Sequence, residues 1–216
     1  MRILKMTTHT FTKKEEIAHA ITHGIGAVLS IVALILLIIY ASLEGSAWQI
    51  VSATVFGSTM LIMYLSSTIV HSLPDGKWKN IFQIFDHSSI YLFIAGTYTP
   101  FLLGPLRGEI GWTLFGIVWG IAVIGVVFKV FFVNKFLVLS TVFYILMGWM
   151  ITLVWGPLTE QLPSEGITYL VLGGMFYTVG AVFYVWRKFH FHHAVWHLFV
   201  LAGSMFHFLA VFYYII

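Results

Sequence analysis

The chain has 216 residues, of which 60% are hydrophobic and only 9% charged, with a net charge of +3. A soluble domain keeps about a quarter of its residues charged to hold a wetted surface, so this composition excludes one. Seven membrane helices of about 22 residues use about 154 positions and leave about 62 for a tail and short loops, which excludes a second folded domain. Cysteine is absent. Disulfides and thiolate metal sites are therefore excluded, and a metal would have to be held by His, Asp or Glu.

In chain order, residues 1–14 are mixed and basic and read as a short tail. An apolar run from Ile17 to Leu43 follows, too long for a signal-peptide core and with no small-residue cleavage site after it, so it reads as a retained helix. Further runs lie at Trp48–Ser72, Ile81–Leu103, Gly111–Val127, Phe136–Trp155, Ile167–Trp186 and His193–Ile216. The breaks carry turn residues: Glu44-Gly45-Ser46, Pro74-Asp75-Gly76, Gly104-Pro105, Asn134-Lys135, and Gly156-Pro157 through Gly166. The weakest break is the fourth, where Lys129 and Asn134 interrupt a nearly continuous apolar stretch; merging there would leave six spans. The fold class is thus all-α and integral to a membrane, a single seven-helix bundle over residues 1–216.

With seven spans, the tail and the even loops share one side. That side holds Arg2, Lys5, Lys13, Lys14, Lys77, Lys79, Lys129, Lys135, Arg187 and Lys188; the other holds Arg107 alone. Positive loops stay inside, so the N-terminus is expected in the cytoplasm and the C-terminus outside.

Ionisable groups within spans are costly and point to function. Here they are Glu16, His19 and His23 at the start of the first span, His71 ending the second, Asp86 and His87 early in the third, and His193, His197 and His207 in the seventh. By the topology, all but His207 lie near one membrane face. Groups placed only for interfacial comfort would be spread over both faces, so this reads as convergence on a site.

His193 and His197, four apart, share a helix face with Cβ atoms about 6 Å apart, which suits two imidazoles on one Zn2+. They also read as a juxtamembrane cluster beside Arg187 and Lys188. His71, one turn after Ser67, and Asp86, a carboxylate costly to bury without a cation partner, favour metal. Three imidazoles with a carboxylate-held water make up an open, catalytic zinc site. Glu16, His19 and His23 form a rival set on one face of the first helix; Glu16 alternatively caps its first turn. His207 is rotated to another face and reads as an interhelical hydrogen-bond partner. Gly116-x-x-x-Gly120 reads as a helix-packing motif and less often as a dimer contact. Pro100 is expected to kink the third span.

Four blocks carry a family resemblance: Glu16-Ile-Ala-His-Ala-Ile-Thr-His-Gly-Ile-Gly, Ser67-x-x-x-His71, Asp86-His-Ser-Ser-Ile-Tyr with Gly96-Thr-Tyr-Thr-Pro-Phe, and His193-Ala-Val-Trp-His-Leu-Phe-Val-Leu-Ala-Gly. Together they resemble the bacterial hemolysin III family, the prokaryotic branch of the progestin and adipoQ receptor superfamily that includes the adiponectin receptors. His19 departs from the pattern, which has Asn there. The resemblance implies a seven-helix bundle in the bacterial plasma membrane with Zn2+ on His71, His193 and His197. It also implies that Asp86 contacts the metal through water and that Ser67 lies near that water. Similarity of the superfamily to alkaline ceramidases implies hydrolysis of a membrane lipid amide or ester from the inner leaflet. The alternatives are a sensor, receptor or lipid-homeostasis regulator with a structural zinc, and a haemolytic, membrane-perturbing protein. Oligomeric state and substrate are left open.

Overall fold

The structure is a computed structural model and describes residues 11–216; Arg2 and Lys5 of the tail lie outside them. Among the described residues every regular element is helical: α1 (Lys13–Glu44), α2 (Ala47–Ser72), α3 (Lys77–Leu103), α4 (Glu109–Phe132), α5 (Leu137–Gly148), a 3-10 segment (Trp149–Val154), α6 (Trp155–Gln161), α7 (Ser164–Val185) and α8 (His192–Tyr214). By length and apolarity, six helical stretches can cross a membrane: α1, α2, α4, the continuous stretch Leu137–Gln161, α7 and α8.

The remaining helix, α3, is long enough but carries Lys77, Lys79, Asn80, Asp86 and His87. Of these only Asp86 is buried, Lys77 and Asn80 being exposed at the start of the helix, while the stretch from Asp86 to Leu103 holds all fourteen of its buried residues. That is why a less apolar sequence still forms a central helix.

Helix ends extend past the apolar runs because polar residues finish them. Thr12 accepts from the Glu15 amide while the Glu15 carboxylate accepts from Thr12, a capping box that starts α1 at Lys13 rather than Ile17. Ser46 and Gln49 form the same device at α2. The Gly156-Pro157 pair does not open a loop. It falls in the first turn of α6, where proline costs no helical hydrogen bond, and the connection shrinks to Leu162-Pro163. The helix α3 runs on through Pro100 to Leu103.

The chain alternates between two ends of the bundle. At one end Gln49 Nε2 donates to the Ile215 carbonyl at 2.7 Å, joining the start of α2 to the end of α8. Arg107 stacks over Trp48 there. The other end gathers the starts of α1, α3 and α8 with the end of α2, and all the described lysines and arginines except Arg107 belong to segments at that end. The core runs through Leu37, Phe56, Met60, Tyr98, Phe101 and Val211. Outward faces are lined by Ile17, Ile21, Val28, Ile124 and Leu146, all exposed, as a lipid-facing surface requires.

Two small-residue sites differ. A Cβ on Gly173 would collide with the His207 imidazole, so α7 and α8 touch there only because of the glycine. Gly116 and Gly120, read from sequence as a packing motif, face open space, and among the described residues no helix packs against them.

Candidate metal centre

Three helices bring the histidines together. His19 and His23 lie two and three turns into α1, His71 in the last turn of α2, and His193 and His197 in the first two turns of α8. Residues Trp186 to Phe191 carry the chain into α8, and Phe191 adopts a left-handed conformation at φ 62°. A non-glycine residue there costs about 1–2 kcal/mol. The Phe191 amide donates to Glu15 Oε1 at 3.1 Å, which ties the start of α8 to the start of α1. Glu15 is therefore both the α1 cap and the residue that fixes where His193 begins.

The rings of His19, His71, His193 and His197 form one buried cluster. Their centres are 4.7 Å apart for His19 with His71 and with His193, 5.5 Å for His19 with His197, 5.2 Å and 5.4 Å for His71 with His193 and with His197, and 4.5 Å for His193 with His197. Nitrogens of His19, His71 and His193 all lie within 4.8 Å of one another. His197 stands outside that closest set although its ring belongs to the cluster. His23 stacks flat on His197, with centres 3.4 Å apart. Phe11 lies edge-on to His19 at 4.6 Å and covers the cluster from the end of the bundle.

The hydrogen bonding fits a metal. Nε2 of His71, His193 and His197 and both nitrogens of His19 are buried without a hydrogen-bond partner. An unsatisfied buried polar atom costs about 1–3 kcal/mol, so a cluster of this kind is understandable only if something else takes those lone pairs. The Nδ1 atoms of His71 and His197 have partners. His71 Nδ1 donates to Glu16 Oε2 at 2.6 Å, while Lys79 Nζ donates to Glu16 Oε1 at 2.7 Å. The Thr22 hydroxyl donates to the Ala18 and His19 carbonyls, so its oxygen accepts from His197 Nδ1 at 3.0 Å. Each arrangement puts the proton on Nδ1 and leaves an Nε2 lone pair free, the usual support for a metal-binding imidazole.

Glu16 is thus a functional neighbour of His71 rather than a cap. Sequence reasoning preferred the cap because Glu16 follows Lys13, Lys14 and Glu15; the capping belongs to Glu15. Only its three-residue spacing from His19 hinted at more. Thr22 carried no warning in the sequence.

Asp86 is buried in α3, and Ser67 is its side-chain neighbour from α2. Ser67 lies four residues, about one turn, before His71 on α2, and Asp86 is not among the groups in the close set of His19, His71 and His193. Its own hydroxyl has no hydrogen bond of ordinary geometry. His87 points elsewhere, with Nδ1 donating to the Gln83 carbonyl at 2.9 Å. His207 is also apart: Nε2 donates to the Leu170 carbonyl on α7 at 3.0 Å, the interhelical bond expected for it.

Beside the cluster lies a largely apolar cavity between α3, α5, α7 and α8, with about 910 Å³ of free space counting its open mouth. Phe93, Ile145, Ala181 and Val200 line its length, and Tyr184 and Trp196 line it towards the histidines. Trp196 lies 4.8 Å from His193, ring centre to ring centre.

Comparison with known proteins places these features in a family. A family model described as haemolysin-III related matches residues 11–208. The chain is 57% identical over 204 residues to a protein named hemolysin-3 homolog from Bacillus subtilis (strain 168), covering 94% of this chain and 96% of that one. It is 54% identical over 212 residues to hemolysin-3 of Bacillus cereus, covering 98% and 97%. A more distant relative is the human monocyte to macrophage differentiation factor, 30% identical over 214 residues and covering 93% and 84%.

Proposed function

The chain belongs to the haemolysin-III-related family, and from that membership and its buried histidine cluster we propose that it is a zinc-binding, multi-pass protein of the bacterial plasma membrane that hydrolyses a membrane lipid amide or ester. In this reading α3 completes seven spans, with the N-terminus in the cytoplasm and the C-terminus outside. The observation that carries it is the set of buried imidazoles with partnerless Nε2 atoms, next to which Trp196 and Tyr184 line an apolar cavity.

His71, His193 and His197 hold the zinc in this proposal. When bound, zinc supplies Lewis acidity for a carbonyl and makes water more acidic. The chain's own residues do the rest. Glu16 and Thr22 fix the tautomers of His71 and His197. Asp86 would take the proton from the attacking water as general base and return it to the leaving nitrogen or oxygen as the C–N or C–O bond breaks, and Ser67 would donate a hydrogen bond to the oxyanion that develops on the substrate carbonyl. The cavity receives an acyl chain, while the bundle end beside the lysines meets the headgroup in the inner leaflet. Together α1, α2 and α8 also make the cluster a clamp, which favours one second reading: a sensor or lipid-homeostasis regulator whose zinc is structural.

The test is turnover by zinc-loaded protein in nanodiscs on a panel of lipid amides and esters, with released fatty acid as the readout. Release from at least one class is expected, and it should be abolished by chelation. Stoichiometric zinc with no release from any of them removes the hydrolase and leaves the sensor.

A further inference from the structure

His19 has no task in that site, yet it is among the most completely buried side chains, and its nearest carboxylate oxygen, Glu16 Oε2, is 3.9 Å from Nδ1. Both its nitrogens are without partners. One lies in the close set with nitrogens of His71 and His193. The six separations between the ring centres of His19, His71, His193 and His197 all fall between 4.5 and 5.5 Å, so the four rings stand at the corners of a nearly regular tetrahedron. Zinc binds imidazole nitrogen at about 2.0–2.1 Å, and with ring centres about 1.1 Å further out, four tetrahedral imidazoles have centres about 5.2 Å apart.

We infer that His19 is a fourth metal ligand in this chain, contributed by α1. This rests on the metal site proposed above and adds to it. Four neutral imidazoles fill a tetrahedral shell and leave no place for water, so the resting site is closed. The four are not equally held. His71 is anchored through Nδ1 by Glu16, and His197 through Nδ1 by Thr22. His19 has no hydrogen bond at either nitrogen and His193 has no such anchor, so these two are the less firmly held ligands. An Asn in place of His19 is shorter, and leaves a site with three imidazoles and an open position.

X-ray absorption on the zinc-loaded full chain in nanodiscs counts the imidazoles. Four are expected in the wild type and three plus an oxygen donor in His19→Asn. A second measurement uses Co2+ in the same position. Azide should shift the visible spectrum of His19→Asn at a lower concentration than that of the wild type, and His19→Asn should also bind Co2+ at least about tenfold more weakly, the lower end of what losing even a ligand's supporting group costs. If His19→Asn does not fold, the wild-type imidazole count decides alone. Three imidazoles with an oxygen donor in the wild type, or equal azide responses, overturn the role of His19 and leave the three-histidine site standing. Absence of any bound metal in the wild type overturns both.

Discussion

Replacing Glu16 with Gln tests whether the carboxylate holds His71 in its metal-binding tautomer. Glu16 accepts from two donors, His71 Nδ1 at 2.6 Å and Lys79 Nζ at 2.7 Å, one on each oxygen. Glutamine has a single acceptor oxygen. It can satisfy one donor, and its NH2 group then faces the other. Either His71 loses its anchor, or it keeps a neutral partner that makes the imidazole less basic. Supporting partners of metal-binding histidines typically contribute 10–100-fold in affinity, so Glu16→Gln should weaken zinc binding by about that factor, or about 1.4–2.8 kcal/mol. Lys79→Met is the matched control. It removes the second donor but leaves the His71 bond intact, so affinity should stay within about twofold of wild type on the same principle. The assay is competition against a chromophoric chelator in nanodiscs, with helical content checked by circular dichroism. Unchanged affinity in Glu16→Gln, or an equal loss in Lys79→Met, would refute the reasoning and make the Glu16 cluster a purely structural ion pair.

Other predictions address separate parts of the molecule. Asp86→Asn should keep zinc near stoichiometric while hydrolysis falls about a hundred- to ten-thousandfold, as for loss of a general base; retained hydrolysis at full zinc would remove Asp86 from the chemistry. Gly173→Ala forces a Cβ against the His207 ring, which its bond to the Leu170 carbonyl holds in place. It should destabilise the bundle by about 1–3 kcal/mol and lower the thermal midpoint without changing zinc content, and an unchanged midpoint would contradict the packing described. A tag at the N-terminus should be protected from protease added outside intact cells and a tag at the C-terminus cleaved; the reverse would invert the orientation.

The helices and the shared end of the bundle were legible in the sequence because both follow from one-dimensional patterns. Long apolar runs give the rods, and the placement of Lys and Arg sorts their ends. The convergence of His71, His193 and His197 followed from that sorting, and His207 fell outside it through helical periodicity. What sequence could not supply was which neighbours meet across helices. Glu16 reads as an end-of-helix acid until α2 is laid beside α1 and His71 arrives at hydrogen-bonding distance. Thr22 is one more polar residue in an apolar run until α8 brings His197 against it. The choice between His19 and a bystander depends on ring positions within about an ångström, which no spacing rule reaches. The Gly116-x-x-x-Gly120 motif specifies a smooth face but not what lies opposite, and among the described residues nothing does. Where Gly156 and Pro157 suggest a loop, the 3-10 segment before them leads directly into α6, whose first turn holds both.

The central claim is that this cluster binds a metal ion, and metal analysis of the purified protein beside a His71→Ala variant tests it most directly. The wild type should carry about one zinc per chain after passage over a mild chelator, and His71→Ala should carry almost none while keeping its helical content. A folded wild type without metal, or a His71→Ala protein that retains a full equivalent, would contradict it.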